Sequence, residues 1–481
     1  MADKKVTSIT SKSENITQWY TDVCLKAELM SYANTKGFIN YRPDGYALWE
    51  EIQSYLNEKI KAVGVRNVYL PSLIPMSLLQ KEKDHISGFA PECAVVTRGG
   101  NKQLAEEMVV RPTSETLFCD HFKDIVHSYN DLPVKYNQWC SVIRWEKTTR
   151  PFLRGSEFLW QEGHTLHQGE EEARAFALSI LRIYNNMGRD LLAVPFLMGK
   201  KPESEKFAGA VDTYTIEALM PDCQALQCGT THYLGTGFCE AYGIKYLGKD
   251  NKIAYPHYTS WGVSTRLLGA LIMVHGDDEG LVLPPKIAPT QVVIIPIRAD
   301  SNPDVLKACR SLEESLKAKK IRVLLDDSNK SPGWKFSQYE MKGIPLRIEI
   351  GPKDLEKGQA MLAKRYNNSK DFLPLEGLDE KVAVLLEEIH EGMYQKALKF
   401  LNDHIFECHS YEEVKDVIAN QKGFAKMMVK FSTQAEVEKK MKEEFNATPR
   451  VMPFDQRPFQ SKDSYTGEEG AENVVIFARA Y

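Results

Sequence analysis

The sequence lacks the features of a secreted or membrane-spanning protein. Its nine cysteines are scattered singly through 481 residues, without a CxxC pair. An odd number of isolated cysteines is typical of reduced thiols rather than of a disulfide framework, so we expect a cytoplasmic protein. Apolar runs such as VVIIPI at 292–297 are far shorter than the roughly 20 residues of a membrane span. The first residues, MADKKVTSITSKSE, contain no apolar core of a signal peptide.

Positive charge and the common nucleotide motifs are also missing. The net charge is −4, so any RNA contact must come from local patches rather than from a basic surface as a whole. There is no GxxxxGK[ST] loop and no HExxH, and GTGF at 235–238 lacks the third glycine of a dinucleotide loop. If the chain binds phosphates, arginines must hold them, because a guanidinium stays charged and can bind phosphate oxygens bidentately.

The length requires more than one core, and we expect two or three domains. A helix is predicted near 45–63, and strand-like segments then dominate to about residue 285. The segment LVLPPKIAP at 281–289 is typical of a linker. Beyond it a β-α-β pattern predicts a small α/β domain with parallel central strands. An amphipathic segment at 378–402 then leads to a third unit.

The most informative stretch is RWEKTTRPFLRGSEFLWQEGH at 144–164. Alternating strands at 140–146 and 157–164, joined by a polar proline-containing loop, predict an antiparallel hairpin. Arg144 and Glu146 share one face of the first strand. One face of the second strand carries Trp160, Glu162 and His164. A tryptophan beside a carboxylate can hold an ammonium group, but an exposed ion pair and a half-buried aromatic strand are alternatives.

Three other segments are candidates for binding. RPTSET at 111–116 alternates like a strand, and a polar turn before a helix is the alternative reading. QCGTTHYLG at 227–235 is polar and glycine-flanked, so a ligand could approach its backbone closely. In SWGVSTRLLGALIMVHG at 260–276, an arginine opens an apolar helix. That arrangement favours an anion site, and a capped core helix is the alternative.

The order of these segments is more specific than any one of them. A strand that ends in proline (GVRNVYLPSLIP), the RWE…FLR hairpin and the arginine that opens a helix resemble motifs 1, 2 and 3 of the class II aminoacyl-tRNA synthetases. The chain more closely resembles the archaeal/eukaryotic type of the prolyl-tRNA synthetase family, from about residue 15 to its last residue. The segments that carry this resemblance are RPTSET, NQWCSVIRWE, FLWQEGHT, EKFAGA, SWGVSTR, MVHGDDEGLVLPP, SPGWKFSQYEMKG and IEIGPKDLE.

The resemblance implies a fold and an activity. The expected fold is an α+β catalytic domain with an antiparallel sheet at 1–284, an α/β anticodon-binding domain at 285–400 and a small α+β C-terminal domain at 401–481. The implied reaction activates proline with ATP to prolyl-adenylate and transfers it to proline tRNA. A homodimer through the motif 1 segment, with no membrane association, is the expected assembly.

The resemblance also assigns residues to ligands. Arg144 and Arg266 are the expected catalytic residues, and Mg²⁺ is the expected cofactor with ATP, with Gln227 as its candidate contact. The expected ATP-binding residues are Arg144, Trp145, Glu146, Arg154, Gly155, Phe158, Gln227, Thr230, Ser264 and Arg266. The expected proline-binding residues are Thr113, Glu115, Arg144, Trp160, Glu162, His164, Phe207, His232, Ser260 and Trp261. The expected anticodon-binding residues are Phe336, Glu340, Arg347 and Lys353.

The sequence departs from the family pattern at three places. No cysteine follows Cys408, so no structural zinc is expected in the C-terminal domain. Gly155 stands where a hydroxyl residue is common, and Cys228 interrupts a stretch that usually has glycine there. Two alternatives stay open: a threonyl-type enzyme, for which no zinc-binding pocket is found, and a catalytically inactive tRNA-binding paralogue. Retention of the arginines argues against the second.

Overall fold

The structure is a computed structural model that describes residues 8–81 and 93–481. Its first unit contains the strands β1 (Met30–Tyr32), β2 (Ile39–Tyr41), β3 (Arg66–Asn67), β4 (Leu73–Pro75), β5 (Ala94–Gly99), β6 (Lys102–Val110), β7 (Val134–Ile143), β8 (Glu157–His167), β9 (Leu197–Lys200), β10 (Asp212–Leu219), β11 (Ala225–Gly235), β12 (Tyr246–Leu247), β13 (Ile253–Ala254) and β14 (His257–Ser264). Its helices are α1 (Ile16–Lys26), α2 (Pro43–Ala62), α3 (Met76–Leu79), α4 (Glu115–Ile125), α5 (Glu170–Met187), α6 (Gly237–Tyr242) and α7 (Arg266–His275). Shorter helical turns are Tyr129–Asp131, Gly188–Leu192 and Glu203–Glu205.

The two smaller units follow in the order predicted. The middle unit contains β15 (Val292–Pro296), β16 (Val323–Leu325), β17 (Leu346–Ile350), β18 (Gln359–Lys364), β19 (Lys370–Pro374), the turn Ala299–Ser301 and the helices α8 (Pro303–Ala318), α9 (Pro332–Met341), α10 (Pro352–Glu356) and α11 (Leu378–Asp403). The last unit contains β20 (Ile405–Cys408), β21 (Phe424–Val429), β22 (Ala447–Pro453), β23 (Asn473–Arg479), α12 (Tyr411–Ala419) and α13 (Gln434–Phe445). No helix among the described residues is long and apolar enough to cross a membrane.

The first unit is built on an antiparallel sheet, as predicted. Its central strands run in the order β9, β10, β11, β14, β8 and β7, and every neighbouring pair is antiparallel. Strand β3 adds at the edge, parallel to β7. Helices α2, α5 and α7 cover the sheet with apolar faces, and the core beneath them includes Trp49, Ile180 and Leu268. The fold class inferred from the sequence is therefore confirmed.

The hairpin differs from the prediction at its tip. Strands β7 and β8 pair from Val134 with Leu166 to Ile143 with Glu157, whereas the first strand was predicted to continue to Glu146. Pairing ends because the backbone N–H of Glu146 donates to the carbonyl of Arg144 in a tight turn, at 2.7 Å. The segment 111–116 is also not a strand, since Glu115 begins helix α4.

The middle unit is an α/β sheet with parallel centre. Strand β15 lies between β16 and β17 and is parallel to both, while β18 and β19 add in antiparallel order. The segment 281–289, predicted as a linker, is largely buried. Arg322 holds this segment, because its guanidinium donates to the carbonyls of Lys286 and Ala288 at 2.9 and 2.8 Å.

The C-terminal unit extends the first sheet rather than standing apart. Strand β22 pairs with β9, so eleven strands of the described residues form one sheet. A buried ion cluster joins the two units. Glu217 on β10 accepts from Lys201 at 2.7 Å and from Arg450 of β22 at 3.1 and 3.2 Å. All three side chains are at least 90 % buried, so the cluster holds its charges away from water.

Loss of Arg450 should destabilise this junction. Arg450→Met leaves Glu217 with Lys201 as its remaining cation, and breaking a buried ion group costs on the order of 3 kcal/mol of unfolding free energy. Urea denaturation followed by circular dichroism measures the effect. The control is Arg457→Met, which removes an exposed ion pair with Asp455 and should leave the midpoint unchanged. Equal midpoints for the two variants would contradict the prediction.

Candidate active site

One cleft lies over the face of strands β8, β11 and β14. Side chains two residues apart on β8 point to this face, because successive residues of a strand alternate. In the adjacent strand Ser260 is opposite His164 and Ser264 is opposite Trp160. The cleft therefore collects residues from segments about 100 positions apart. Among its lining residues are Thr113, Glu115, Arg144, Glu146, Arg154, Gly155, Phe158, Trp160, Glu162, His164, Phe207, Gln227, Thr230, His232, Ser260, Trp261, Ser264 and Arg266.

Trp145 is the one predicted proline- or ATP-binding residue that is absent from the described lining of the cleft. Its side chain is 54 % exposed and meets the ring of Phe38 edge-on, with the ring centroids 6.2 Å apart. Successive side chains of an extended chain alternate, so Trp145 points away from the face that carries Arg144. Its predicted contact with adenine has no support from this arrangement.

Three arginines converge at one end of the cleft. Arg144 is held by its Nε, which donates to the carbonyl of Pro112 at 3.0 Å. Its guanidinium lies 5.3 and 5.5 Å from the ring centroids of Phe158 and Trp160, within cation–π range. Arg154 extends into the cleft from the hairpin loop, and its Nη1 lies 3.6 Å from the Glu146 carboxylate. The ion pair of the hairpin therefore joins Glu146 to Arg154 rather than to Arg144.

The third arginine, Arg266, is the first residue of helix α7. Its Nε donates to the carbonyl of Leu153 at 3.1 Å and its Nη1 to the carbonyl of Gln227 at 3.2 Å. Burial lowers the pKa of Arg266, and the nearby guanidinium groups of Arg154 and Arg144 act in the same direction. Positive charge is thus concentrated at one place, next to a helix N-terminus, where an anion would be stabilised.

A buried carboxylate organises the other end of the cleft. Glu162 is 2 % exposed and accepts hydrogen bonds from the Ser114 hydroxyl at 2.5 Å and from Gln138 Nε2 at 2.7 Å. His164 Nε2 lies 2.9 Å from its second oxygen, and His164 Nδ1 lies 2.6 Å from the hydroxyl of Tyr258. With these partners, Glu162 fixes the orientation of the His164 ring.

A second carboxylate lies beside the first. Glu115 begins helix α4 and accepts a hydrogen bond from the Thr113 hydroxyl at 2.6 Å. The helix N-terminus stabilises its negative charge. Glu115 is 4 % exposed, so the carboxylate acts in a largely dehydrated surrounding, where its attraction to a cationic nitrogen is strengthened.

The opposite wall is formed by stacked rings. Phe207 lies against His232, with centroids 4.5 Å apart and planes 29° apart. His232 is fixed at both nitrogens, by the hydroxyls of Thr213 at 2.9 Å and Thr230 at 3.0 Å. Burial lowers the pKa of His232 to about 4, so its ring is neutral near pH 7. A neutral ring does not repel a cation bound in the cleft.

Several residues of the site were not predicted. Ser114, Gln138 and Tyr258 hold the Glu162–His164 pair, and Cys228 and Val263 line the cleft. Gln138 could have been found, since it lies two residues before Cys140 on the same face of β7. Tyr258 likewise shares a face with Ser260. The contact of Ser114 with Glu162 depends on the tertiary placement of α4, and no sequence pattern indicates it.

The predicted anticodon residues are partly brought together. Arg347 on β17 bonds Glu340 of α9 at 2.9 Å and Glu349 at 2.8 Å. Its guanidinium lies 4.1 Å from the ring centroid of Phe336. Lys353 lies on α10 and is exposed. A second cavity, next to Glu340 and Arg347, is also lined by Lys364, Arg365 and Lys370.

Comparison with known proteins agrees with this geometry. Residues 98–275 match the family model for the class II core domain of tRNA synthetases for G, H, P, S and T, and residues 291–385 match an anticodon binding domain. The sheet, the cleft and the arginines thus belong to a class II aminoacyl-tRNA synthetase. Residues 411–481 match the C-terminal domain of prolyl-tRNA synthetases.

Full-length relatives make the assignment more specific. The proline–tRNA ligase of Clostridium botulinum (strain Loch Maree / Type A3) is 54 % identical over 480 residues, which cover 100 % of this chain and 99 % of the relative. Proline–tRNA ligase 2 of Bacillus cereus is 53 % identical over 481 residues, with full coverage of both chains. The chain belongs to the prolyl-tRNA synthetase family. The prediction of a proline–tRNA ligase is confirmed, and the inactive paralogue receives no support. These relatives are bacterial, which conflicts with the archaeal/eukaryotic type expected from the motifs.

The close packing of Gly163 against Trp261, on the face of the sheet opposite the cleft, tests how that packing supports the cleft residues. A Cβ at this position would lie 2.1 Å from the ring of Trp261, so Gly163→Ala must displace that ring. Displacement by about 1 Å can lower kcat/KM on the order of 100-fold. We expect this loss for proline in ATP–pyrophosphate exchange. Gly169→Ala is the control, because nothing lies within 4 Å of its Cβ. An unchanged kcat/KM for Gly163→Ala would show that the packing of Trp261 behind the strand does not position the cleft residues.

The buried His232 predicts a pH dependence of stability. Its folded pKa of about 4 lies below the ordinary value of 6.5, so between these values the unfolded chain binds more protons. Stability is complete above pH 6.5 and falls as the pH is lowered, by about 2 kcal/mol between pH 6.5 and pH 5. His232→Gln should remove this part of the slope, measured by urea titration at each pH. The control is His409→Gln at an exposed position, which should leave the pH dependence of stability unchanged. An unchanged slope in His232→Gln would refute the assignment.

Proposed function

We propose that the cleft activates proline with ATP and then transfers the prolyl group to the 3′ end of proline tRNA. The observation that carries this proposal is the convergence of three arginines, Arg144, Arg154 and Arg266, beside a pocket with the carboxylate Glu115. The cationic end suits the phosphates of ATP, and the carboxylate end suits the imino group of an amino acid. The two substrates thereby meet at Arg144.

In the first step an oxygen of the proline carboxylate attacks the α-phosphorus of ATP. A new P–O bond forms, the bond to the bridging oxygen breaks, and pyrophosphate leaves with the electron pair. No proton has to move. The protein therefore needs to align the two anions and to stabilise charge. We assign Arg144 to the α-phosphate and the reacting carboxylate. Arg266, assisted by Arg154 and Ser264, is assigned to the departing phosphates.

In the second step a ribose hydroxyl of the terminal adenosine attacks the carbonyl carbon of prolyl-adenylate. The ester bond forms, the bond between the carbonyl carbon and the phosphate oxygen breaks, AMP leaves with the electron pair, and the hydroxyl proton passes to a phosphate oxygen of AMP. We assign the framing of adenine to Phe158 and Glu146 and the ribose to Thr230. Gly155 is assigned a backbone contact with ATP.

The proline ring is assigned to the pocket opposite the arginines. Thr113 and Glu115 are proposed to bind the imino group. The ring would lie among aromatic and polar walls formed by Trp160, His164, Phe207, His232 and Ser260, with Glu162 as a positioning residue. The ring of Trp261, predicted to close the pocket, packs instead against Gly163 and Phe176 on the opposite face of the sheet. The enclosing rings exclude larger side chains by clash, whereas a side chain smaller by one methylene loses only about 1–3 kcal/mol of binding.

Mg²⁺ is proposed to enter with ATP. The described residues contain no group of three His, Cys, Asp or Glu side chains that could hold a metal. Mg²⁺ is usually held mainly by phosphate oxygens, and Gln227 of the cleft lining is proposed as its protein contact. Bound Mg²⁺ would neutralise phosphate charge. The absence of a structural zinc stays a prediction.

We also propose the remaining assembly. The middle unit would read the anticodon, since its Arg347 and Glu340 can bond base edges. Lys353 would then contact the backbone of the RNA. The exposed Tyr69, Leu73 and Val95, on and before strands β4 and β5, support a homodimer through the motif 1 segment. We further propose that the catalytic domain ends at residue 284 and the anticodon-binding domain at residue 400. The proposed location of the protein is the cytoplasm.

ATP–pyrophosphate exchange with each of the twenty amino acids tests the activity. Proline should support exchange, and Arg144→Ala should lower it on the order of 1,000-fold, because a charge-stabilising contact is lost. Binding of tRNA should be nearly unchanged, since the anticodon surface lies in another unit. Arg182→Ala, at an exposed position of α5, is the control. Stronger exchange with threonine, or full exchange by Arg144→Ala, would refute the proposal.

A further inference from the structure

The turn after helix α7 is held by an arginine of the middle unit. Asp277 follows Gly276, which ends the helix. Both carboxylate oxygens of Asp277 accept hydrogen bonds from Arg365, at 2.6 Å from Nη1 and 2.5 Å from Nη2. Arg365 is only 4 % exposed. The Asp277 side chain is 41 % exposed, and the bidentate contact gives the pair a defined geometry as well as attraction.

The same guanidinium also holds helix α9. Arg365 Nε donates to the backbone carbonyl of Glu340 at 3.0 Å, and the side chain of Glu340 bonds Arg347 on β17. One side chain thus contacts the turn that ends α7 and the residue of α9 that faces the second cavity. Any displacement of Glu340 must be accommodated at Arg365.

Helix α7 is able to transmit such a displacement. It is ten residues long, about 15 Å, and Leu267–Met273 are all buried. A closely packed helix moves as a unit between discrete positions rather than deforming. Asp277 lies just beyond one end of the helix, and Arg266, with its bonds to Leu153 and Gln227, is the first residue of the other end.

The junction has other bonds that do not involve Arg365. The N–H groups of Leu281 and Leu283 donate to the carbonyls of Met341 and Gly343, each at 3.0 Å. Lys342 bonds Glu28 and Asp44 of the first unit at 2.8 and 2.9 Å. These contacts keep the units attached when Arg365 is changed. A change at Arg365 therefore alters the fine position of the helices rather than the docking of the unit.

We infer that Arg365 is a positioning residue that couples the surface around Glu340 to the phosphate-binding Arg266, through Asp277 and helix α7. The inference rests on the proposed function, because it needs Glu340 to meet the anticodon and Arg266 to meet ATP. RNA bound at Glu340 shifts the position of α9. Because Arg365 contacts both Glu340 and Asp277, this shift also moves helix α7, which carries Arg266. The pair thereby makes the rate of charging depend on the anticodon.

The test compares Arg365→Lys with the wild-type full chain. Lysine keeps the charge but loses the planar bidentate contact and the Nε bond. Two quantities are measured: proline-dependent ATP–pyrophosphate exchange without tRNA, and the ratio of aminoacylation kcat/KM for proline tRNA to that for a transcript with a substituted anticodon. Exchange should be unchanged. The ratio should fall about 10-fold, a typical size for coupling between two sites.

Arg322→Lys is the matched control. Arg322 lies at the same junction and bonds the linker carbonyls, but it contacts neither Asp277 nor Glu340, so its ratio should equal that of the wild type. Asp277→Asn is a second variant from the other side of the pair and should lower the ratio as Arg365→Lys does.

An unchanged ratio in both variants would overturn the inference. A parallel loss of exchange and aminoacylation, with a lower unfolding temperature, would overturn it too, because it would show a purely structural role. Failure of the proposed function looks different: the wild-type chain would then lack proline-dependent exchange, or would not distinguish the two tRNAs.

Discussion

The alternation of side chains across the paired strands β7, β8, β11 and β14 is the constraint on which the cleft depends. Because the strands are paired in a fixed register, residues two apart on each strand share one face, and a slip of one residue would turn them all away. Trp160, Glu162 and His164 line the cleft for this reason. The opposite face of the same strands packs against helices, and that packing fixes the register.

Electrostatics divides the cleft into two ends. The arginines raise the potential at one end, where the half-buried Glu146 forms an ion pair with Arg154. Two buried carboxylates, Glu162 and Glu115, occupy the other end, and they have different roles. Glu162 accepts hydrogen bonds from side chains on three sides and holds its neighbours, whereas Glu115 lies at a helix N-terminus next to the lining. The same residue type thus serves as support at one position and as a candidate ligand at the other.

Arginine side chains connect the three units through hydrogen bonds and ion pairs. Arg322 binds the linker, Arg365 binds Asp277, and Arg450 reaches Glu217 within the sheet of the first unit. Guanidinium groups suit these positions because they make several directed bonds at once. The C-terminal unit consequently supports strand β10, which lies next to the strand that carries Gln227, Thr230 and His232.

The sequence by itself determined the hairpin and the antiparallel and parallel sheets, since hydrophobic periodicity is a local property of the chain. The residues expected at the cleft came from the resemblance of its motifs to the class II synthetases. The contact of Trp145 with adenine was implied by the family resemblance alone, whereas strand alternation places Trp145 on the face opposite Arg144, away from the cleft. The sequence did not indicate that Ser114, Gln138 and Tyr258 support Glu162 and His164. The continuation of the sheet into the C-terminal unit and the contact of Arg365 with Asp277 join residues far apart in the chain. Only the packing of the complete fold decides such pairs, because their contact energies depend on burial and distance that no local pattern contains.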